Sequence, residues 1–498
     1  MNIEIDPYAV LGVDQNATSE EIKKAYRQAA RRLHPDVNQH NPGAVAQFQD
    51  ITVAYELLID PAQRSQYDAK ARLLYPEDRL VFTLRTIANK RAVALIGEPQ
   101  IIFLLSDIIP DPRAEMMQNV DVRLNLTLVL DRSKSMSDTR MDKVKIAAHQ
   151  IVDQLKPDDI LSVVSFNDTA EVVIPATTIT MTDKASMKAR ISMIHPSGGT
   201  EIFHGLSAGI AQNRTYMAPR LVNHVILITD GNTYGDEQRC IELAKGVGKE
   251  GIAVSAMGLG EDWNDKFLDE MTAITGGHTQ YINSPGAVVR FLNDYVRNLS
   301  NIFAERLQLS VAPDPDIRLE SAFKLAPSPQ PLSIEGSTIP LGNLQGHRSV
   351  SVLLQLEIPA KLALGFRSLA RIVAVGDILA NKHAKCMGLN DISFEVMENP
   401  PIEETPPNIL EALGKLSLYR LQERAQEALE RGDIREATQR LEFLSTRLLE
   451  LGEPELAQQA RQEAQRVATT SQISKKGHKD LKYHTRTLIL ESGVETKT

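Results

Sequence analysis

The sequence has little cysteine: two residues, Cys240 and Cys386, in a chain of 498. They stand far apart, and neither lies in a cluster of cysteines and histidines at metal-ligand spacing. Neither a disulfide framework nor a zinc site is therefore indicated. We expect reduced thiols, as in a cytoplasmic protein.

Long apolar runs and excess positive charge are also missing. The longest runs, such as IIFLLSDIIP, are too short to cross a bilayer, and the start MNIEIDPYAV lacks a signal-peptide pattern. A net charge of -9 disfavours nonspecific binding to the phosphate backbone of nucleic acids. These absences predict a cytoplasmic protein with no transmembrane segment and no nucleic-acid partner.

The composition that is present describes a folded protein. Charged residues make up 24% of the chain and hydrophobic residues 42%, as in ordinary globular proteins. The length exceeds what one hydrophobic core usually organises, so three or four domains are expected.

The first seventy residues carry two amphipathic helical patterns. The first has apolar residues at helical spacing and a capping box of Thr18 and Glu21 at its start. On its other side Lys23, Arg27 and Arg31 recur every four residues and form a basic stripe. The second pattern runs from residue 45 to residue 58. The segment HPDVNQHNPG connects the two, because its prolines interrupt helix. An antiparallel pair of helices is predicted.

The segments DPYAVLGV, EEIKKAYRQAARRLHPDVN and AYELLIDPAQRSQYD resemble the J domain of the DnaJ co-chaperone family, and we assign residues 1–72 to such a domain. The resemblance implies an all-α domain that docks on a DnaK-type chaperone and triggers ATP hydrolysis there. It assigns the trigger to His34, Pro35 and Asp36, and the docking contact to Lys23, Lys24, Arg27 and Arg31. The alternative is an ordinary loop histidine beside a solvated stripe of charge.

The middle of the chain alternates buried strands with helices, starting from the apolar run LNLTLVL. This alternation predicts a doubly wound α/β parallel sheet. Polar side chains follow the strands, at the edge where open α/β sheets bind ligands. They are Asp131, Ser133, Ser135, Thr200 and Asp230. Carboxylates and hydroxyls suit a hard cation, so Mg²⁺ or Mn²⁺ is predicted rather than Zn²⁺.

The elements DRSKS, GGT and TDG, in that order, resemble the metal-ion-dependent adhesion site of von Willebrand factor A-type domains, over residues 122–303. The resemblance implies that the ion binds a carboxylate of a protein partner. Lys134 and Glu201 depart from the usual pattern, and the Glu201 carboxylate could fill the open metal position. The alternative is a vestigial site in which these polar groups only hydrogen-bond the loops.

The flanks of this domain have the period of β-strands. In residues 350–358 every second residue is apolar: Val350, Val352, Leu354, Leu356 and Ile358. We expect a β-sandwich built from residues 78–121 and 304–400, as in bacterial proteins whose von Willebrand A-type domain is inserted into a sandwich.

The C-terminal part of the chain is predicted to be helical. After the linker NPPIEETPP, apolar residues at alternating steps of three and four predict helices in residues 401–470, with breaks at Gly432 and Gly452. The remaining residues, 471–498, are locally basic, and we expect a solvated tail; the alternative is a segment that binds an acidic partner or a membrane surface.

These features predict a multidomain co-chaperone or adaptor without an active site of its own. An aspartyl phosphatase would need a second carboxylate where Ser133 stands, and no phosphate-binding loop, zinc-protease or serine-hydrolase motif is present. The alternative is a scaffold protein in which the J domain serves for docking alone and the metal site assembles a complex.

Overall fold

The structure is a computed structural model. It describes residues 7–11, 13, 17–34, 42–74, 81–112, 122–137, 139–179, 184–218, 221–233, 235–334, 336, 338–379 and 385–491.

The N-terminal unit is helical, as predicted. Its helices are α1 (Pro7–Leu11), α2 (Ser19–Leu33), α3 (Pro42–Ile59) and α4 (Pro61–Leu74). The capping box is confirmed, because the Thr18 side chain accepts from the Glu21 amide and the Glu21 carboxylate accepts from the Thr18 amide. Helices α2 and α3 pack together, with the rings of Tyr26 and Tyr55 stacked 4.1 Å apart. The core is a small apolar cluster that includes Ile22.

Strands fill the middle of the chain and form three sheets. They are β1 (Phe82–Ala88), β2 (Ala92–Ala94), β3 (Gln100–Pro110), β4 (Arg123–Asp131), β5 (Ile160–Phe166), β6 (Ala170–Thr178), β7 (Leu221–Thr229), β8 (Ala253–Leu259), β9 (Thr279–Ile282), β10 (Ile302–Pro313), β11 (Arg318–Ala326), β12 (Gln330–Leu332), β13 (Ile339–Gln345), β14 (Val350–Ile358), β15 (Gly365–Ile378) and β16 (Lys385–Met397).

The central sheet has the order β6-β5-β4-β7-β8-β9, and all its pairings are parallel except that of β6 with β5. Helices connect its strands, and a further helix follows the last strand. They are α5 (Thr139–Gln154), α6 (Lys184–Ser192), α7 (Ile202–Arg214), α8 (Glu237–Glu250), α9 (Asp265–Ile274) and α10 (Pro285–Leu299). One apolar cluster lies on each face of the sheet, so the buried strands read as continuous hydrophobic runs. The doubly wound α/β prediction is confirmed.

The flanking strands form the predicted β-sandwich. One sheet has the order β1-β3-β14-β11-β12 and the other the order β13-β10-β15-β16-β2, so each contains strands from both sides of the central domain. Alternate residues of β14 point into the core: Val350, Val352, Leu354, Leu356 and Ile358 are all buried. The central domain is thus an insertion in the sandwich.

The N-terminal helices rest on the outer face of the second sheet. The Gln47 amide donates to the Ser368 hydroxyl over 2.9 Å, and both side chains are buried. Arg371 donates to Asp50 over 2.7 Å and holds Asp391 at the same time. These contacts join α3 to β15 and β16.

The C-terminal region consists of helices α11 (Pro407–Glu430), α12 (Ile434–Glu450), α13 (Pro454–Thr470) and α14 (Lys475–Glu491). The predicted breaks are confirmed, because Gly432 and Gly452 both have positive φ, at 78° and 82°. Glycine tolerates this left-handed conformation without steric cost. Helix α11 packs on the first sheet of the sandwich, where the ring of Tyr419 lies 4.8 Å from that of Phe323.

The prediction of a solvated basic tail was wrong for residues 475–491. They form α14, and the side chains of Lys479, Lys482 and Arg486 are buried against α9 of the central domain. Two aspartates of α9, Asp265 and Asp269, form ion pairs with these three cations. The basic character of this stretch therefore serves an interface within the chain.

Candidate metal centre

The first loop of the candidate site follows strand β4 directly. Asp131 is the last residue of β4, and a single 3₁₀ turn, Lys134–Met136, comes after it. One carboxylate oxygen of Asp131 accepts from the Ser133 amide over 2.8 Å, and the other accepts from the Thr229 hydroxyl over 2.6 Å. The carboxylate is therefore held in place by the loop after β4 and by the last residue of β7.

Hydrogen bonds join the other predicted ligands. The hydroxyls of Ser133 and Ser135 lie 3.0 Å apart, and Ser135 donates to Asp230 over 2.6 Å. A methyl group placed on Gly231 would lie 3.5 Å from the Thr200 hydroxyl oxygen and 3.8 Å from that of Ser135. The fold thus brings side chains from three loops to one point at the carboxyl edge of the sheet. They are Asp131, Ser133, Ser135, Thr200 and Asp230.

The loop that carries Thr200 is fastened to the loop after β4. The Ser197 amide donates to the Arg132 carbonyl over 2.7 Å, and the Lys134 amide donates to the Gly198 carbonyl over 3.3 Å. Gly198 has φ 76°, and a β-carbon there would lie 2.4 Å from the Asp168 carboxylate. The left-handed backbone conformation favours glycine at this position, and a β-carbon would also require the Asp168 and Asn167 side chains to move.

The electrostatics of the site favour a bound cation. Asp131 and Asp230 are 0% and 1% exposed. The pKa of Asp131 is raised to about 6, mainly by burial and also by the charge of Asp230, against the lowering effect of hydrogen bonds from Thr229 and Ser133. Two buried carboxylates at one point are costly unless positive charge lies between them. The donor set of two carboxylates and three hydroxyls fits a hard divalent cation.

Besides Thr229, a charged residue at the site escaped the sequence-based prediction. The Arg140 guanidinium, from the first turn of α5, forms an ion pair with the Asp230 carboxylate. A cation is unfavourable at a helix N-terminus, so an arginine in the first turn of a predicted helix was a signal in the sequence for a nearby carboxylate. Arg140 and Ser135 also line a depression of about 550 Å³ between the loop after β4 and the loops after β8 and β9.

The two departures from the usual motif, Glu201 and Lys134, are not buried. The Glu201 carboxylate pairs with His204 over 2.9 Å, on the first turn of α7. Lys134 is exposed. In the part of the chain that the structure describes, no cluster of three or more His, Cys, Asp or Glu side chains could hold a metal. The candidate site consists of two carboxylates and three hydroxyls, so it does not count as a cluster of this kind.

The predicted chaperone-binding residues lie on the N-terminal helices. His34 follows the end of α2 and is exposed, with its ring 5.6 Å from that of Phe48. Pro35 and Asp36 lie outside the described residues. The basic residues share one helix, α2. Lys24, Arg27 and Arg31 are exposed, and Lys23 pairs with Glu20 over 3.0 Å. The contact with the sandwich leaves this basic stripe open.

Comparison with protein families separates the chain into three matched segments. Residues 6–68 match the DnaJ domain, residues 125–294 match the von Willebrand factor type A domain, and residues 407–491 match the Sll0103-like, C-terminal alpha-helical domain. The chain contains a DnaJ domain and a von Willebrand factor type A domain. Von Willebrand factor type A domains commonly bind a metal ion, and both domain types are typically non-catalytic interaction domains.

Individual relatives support this division. Uncharacterized protein sll0103 of Synechocystis is 30% identical over 241 residues, which cover 47% of this chain and 57% of that protein. The chaperone protein DnaJ of Carboxydothermus hydrogenoformans is 57% identical over 63 residues, or 13% of this chain and 16% of that protein. The chain thus spans little more than half of the first relative and a small part of the second.

A solved structure shares the larger architecture. The von Willebrand factor type A protein from Catenulispora acidiphila matches with a TM-score of 0.67 at 17% identity, over 83% of this chain and 98% of that one. At this identity the likeness shows the fold alone. No helix among the described residues is long and apolar enough to cross a membrane.

Proposed function

We propose that the protein is a co-chaperone that stimulates the ATPase of a DnaK-type chaperone. The observation that carries this proposal is the DnaJ domain match at residues 6–68, together with the exposed His34 and the open basic stripe of α2. The stripe offers an acidic chaperone surface an electrostatic contact, and such contacts steer association. The chemistry takes place in the partner, so this chain acts without an active site of its own. We place the activity in the cytoplasm, because the partner consumes ATP.

The test is ATP hydrolysis by a purified bacterial DnaK in the presence of the full chain. His34→Gln is expected to abolish stimulation while the far-ultraviolet circular dichroism stays unchanged. His195→Gln is the matched control, because His195 is an exposed histidine in a loop of the central domain. A His34→Gln variant that stimulates as well as wild type would refute the co-chaperone function. Absent stimulation with preserved binding to DnaK would favour the scaffold alternative.

The second half of the proposal concerns the central domain. We propose that Ser133, Ser135 and Thr200 hold Mg²⁺ or Mn²⁺, with Asp131 and Asp230 placed to bind it directly or through water. A bound divalent ion would supply positive charge that attracts a carboxylate of a protein partner. The residues of the site position the oxygen donors: Thr229 and the Ser133 amide orient Asp131, and Ser135 orients Asp230. The depression beside Ser135 and Arg140 leaves room for an incoming side chain.

This half is tested by capture of proteins from a lysate on the immobilised full chain. Capture is expected with Mg²⁺ or Mn²⁺, and we expect its loss with chelator, with Thr200→Val, and after the lysate carboxylates are amidated. Thr446→Val, an exposed threonine on α12, is the matched control. Capture that persists in chelator would contradict the adhesive mechanism.

A further inference from the structure

A cavity of about 360 Å³ lies where three parts of the chain meet. Its walls come from the central domain, the sandwich and helix α14. His224, on the N-terminal half of β7, lines it, whereas Asp230 follows the other end of that strand. Six residues of extended strand span about 20 Å, so the cavity is distinct from the candidate metal centre.

The cavity wall contains a buried cation, Lys324 of β11. The Lys324 side chain is 4% exposed, and its ammonium group donates to the Leu341 carbonyl over 2.8 Å. No ion pair joins it to a carboxylate among the described residues. Burial lowers the pKa of Lys324 to about 8, so it still carries its charge at neutral pH. A buried ammonium with one hydrogen bond has two further protons to donate.

The other charged groups around the cavity do not cancel this charge inside it. Arg486 is paired with Asp269 over 2.7 Å. Arg348 and Asp294, which have opposite charges, are both exposed and lie at the rim. The interior of the cavity therefore keeps a positive charge at Lys324.

The histidines of the cavity are neutral. The pKa of His224 is lowered to about 3, mainly by burial and also by His278. The pKa of His278 is lowered to about 4, mainly by burial and also by the charges of Lys324 and Arg486. His224 Nδ1 is buried and has no hydrogen-bond partner among the described residues, and the same is true of the Gln345 side-chain oxygen. Such groups are usually paired in native structures, with protein or with ordered water, and a bound ligand offers the same kind of partner.

Apolar side chains complete the lining: Met257, Phe291, Leu299 and Ile302. A concave site with an apolar lining and a few convergent polar groups is the usual form of a small-molecule site, and the volume lies in the range of such sites. We propose that this cavity binds a small organic anion, with its carboxylate or phosphate on Lys324 and its apolar body against Phe291 and Leu299. A ligand bound there contacts all three walls and so stabilises their arrangement.

The test is thermal unfolding of the full chain with three probes: benzoate, phenyl phosphate and the neutral benzamide. All samples contain chelator, so that an anion cannot act through the metal centre. At least one of the two anions is expected to raise the melting temperature, by about 2–4 °C near saturation, because a ligand that binds the native state stabilises it. Benzamide is expected to have no effect. The responding anion identifies a carboxylate or a phosphate monoester as the ligand group.

Lys324→Met removes the charge at similar length, and we expect it to abolish the response to the anion. The variant should still fold, because burying a charge without a counter-ion is itself costly and methionine removes that cost at similar length. Lys361→Met, at an exposed lysine of the sandwich, should respond as wild type does. The proposal is overturned if neither anion shifts the melting temperature, if benzamide acts as strongly as benzoate, or if the shift survives Lys324→Met.

Discussion

Helix α14 should contribute to the stability of the central domain through one buried ion pair. Arg486 donates to both oxygens of Asp269, over 2.7 and 3.1 Å, and Lys482 lies 2.9 Å from the same carboxylate. Burial alone would raise the pKa of Asp269, but Arg486 and Lys482 outweigh it and hold the pKa at about 2. We therefore expect Arg486→Met to lower the free energy of unfolding.

The magnitude follows from the pKa of Asp269. A shift from 3.8 to about 2 corresponds to about 2–3 kcal/mol of stability at neutral pH. Because the folded-state value lies below the unfolded one, this stability is present above pH 3.8 and is lost as the pH falls toward 2. Arg486→Met leaves Lys482 as the remaining partner, so the expected loss is about 2 kcal/mol, somewhat below that for breaking an isolated buried pair.

The assay is urea unfolding followed by tryptophan fluorescence. Trp263 is the sole tryptophan of the chain, and its ring lies 3.5 Å from the Lys479 ammonium of α14 and 5.6 Å from the Tyr483 ring. It therefore reports the docking of α14 and the unfolding of the central domain together. A double-mutant cycle with Asp269→Asn isolates the pair from other effects of each substitution.

Arg431→Met is the matched control, because Arg431 pairs with Glu436 on the surface and such pairs contribute about 0–1 kcal/mol. The reasoning is refuted if Arg486→Met costs no more than this control, or if the effects of Arg486→Met and Asp269→Asn are additive.

Three further predictions concern the two interaction sites. Arg27→Glu should slow association with DnaK, and the affinity of the wild type should fall as salt rises, because the Debye length is about 8 Å at physiological ionic strength. Stopped-flow association rates that change neither with this substitution nor with salt would indicate another docking surface. Arg140→Met should tighten Mn²⁺ binding by about tenfold or more in calorimetry, because Arg140 competes for the Asp230 carboxylate at the site; weaker binding would make Arg140 a support of the site. Glu201→Gln should leave the Mn²⁺ affinity within about twofold, because its carboxylate pairs with His204, and a large gain in affinity would place Glu201 on the metal.

Much of the fold could be predicted from local patterns. The capping box at Thr18 and Glu21 fixed the start of α2, and the alternation of residues 350–358 identified a strand with one buried face. The convergence of Asp131 and Asp230 was predictable for a topological reason: parallel strands end at the same edge of a sheet, so residues distant in sequence meet there.

The contacts that sequence reasoning missed are long-range and electrostatic. The cations of α14 appeared to be solvated because their partners, Asp265 and Asp269, lie more than two hundred residues earlier in the chain. A lysine within a strand is ordinarily placed on the solvent side, yet Lys324 is buried because a domain inserted elsewhere in the chain covers it. Only the assembled domains show which charges are paired.

The central claim, that the edge of the inserted sheet holds a divalent cation, is tested most directly by isothermal titration of Mn²⁺ into the full chain. We predict one site per chain, lost in Asp131→Asn and in Thr200→Val while circular dichroism shows both variants folded. Bound metal should also raise the melting temperature with increasing concentration. No heat of binding at millimolar Mn²⁺ or Mg²⁺ in a folded wild-type protein would contradict the claim and leave these oxygens as hydrogen-bonding groups of the loops.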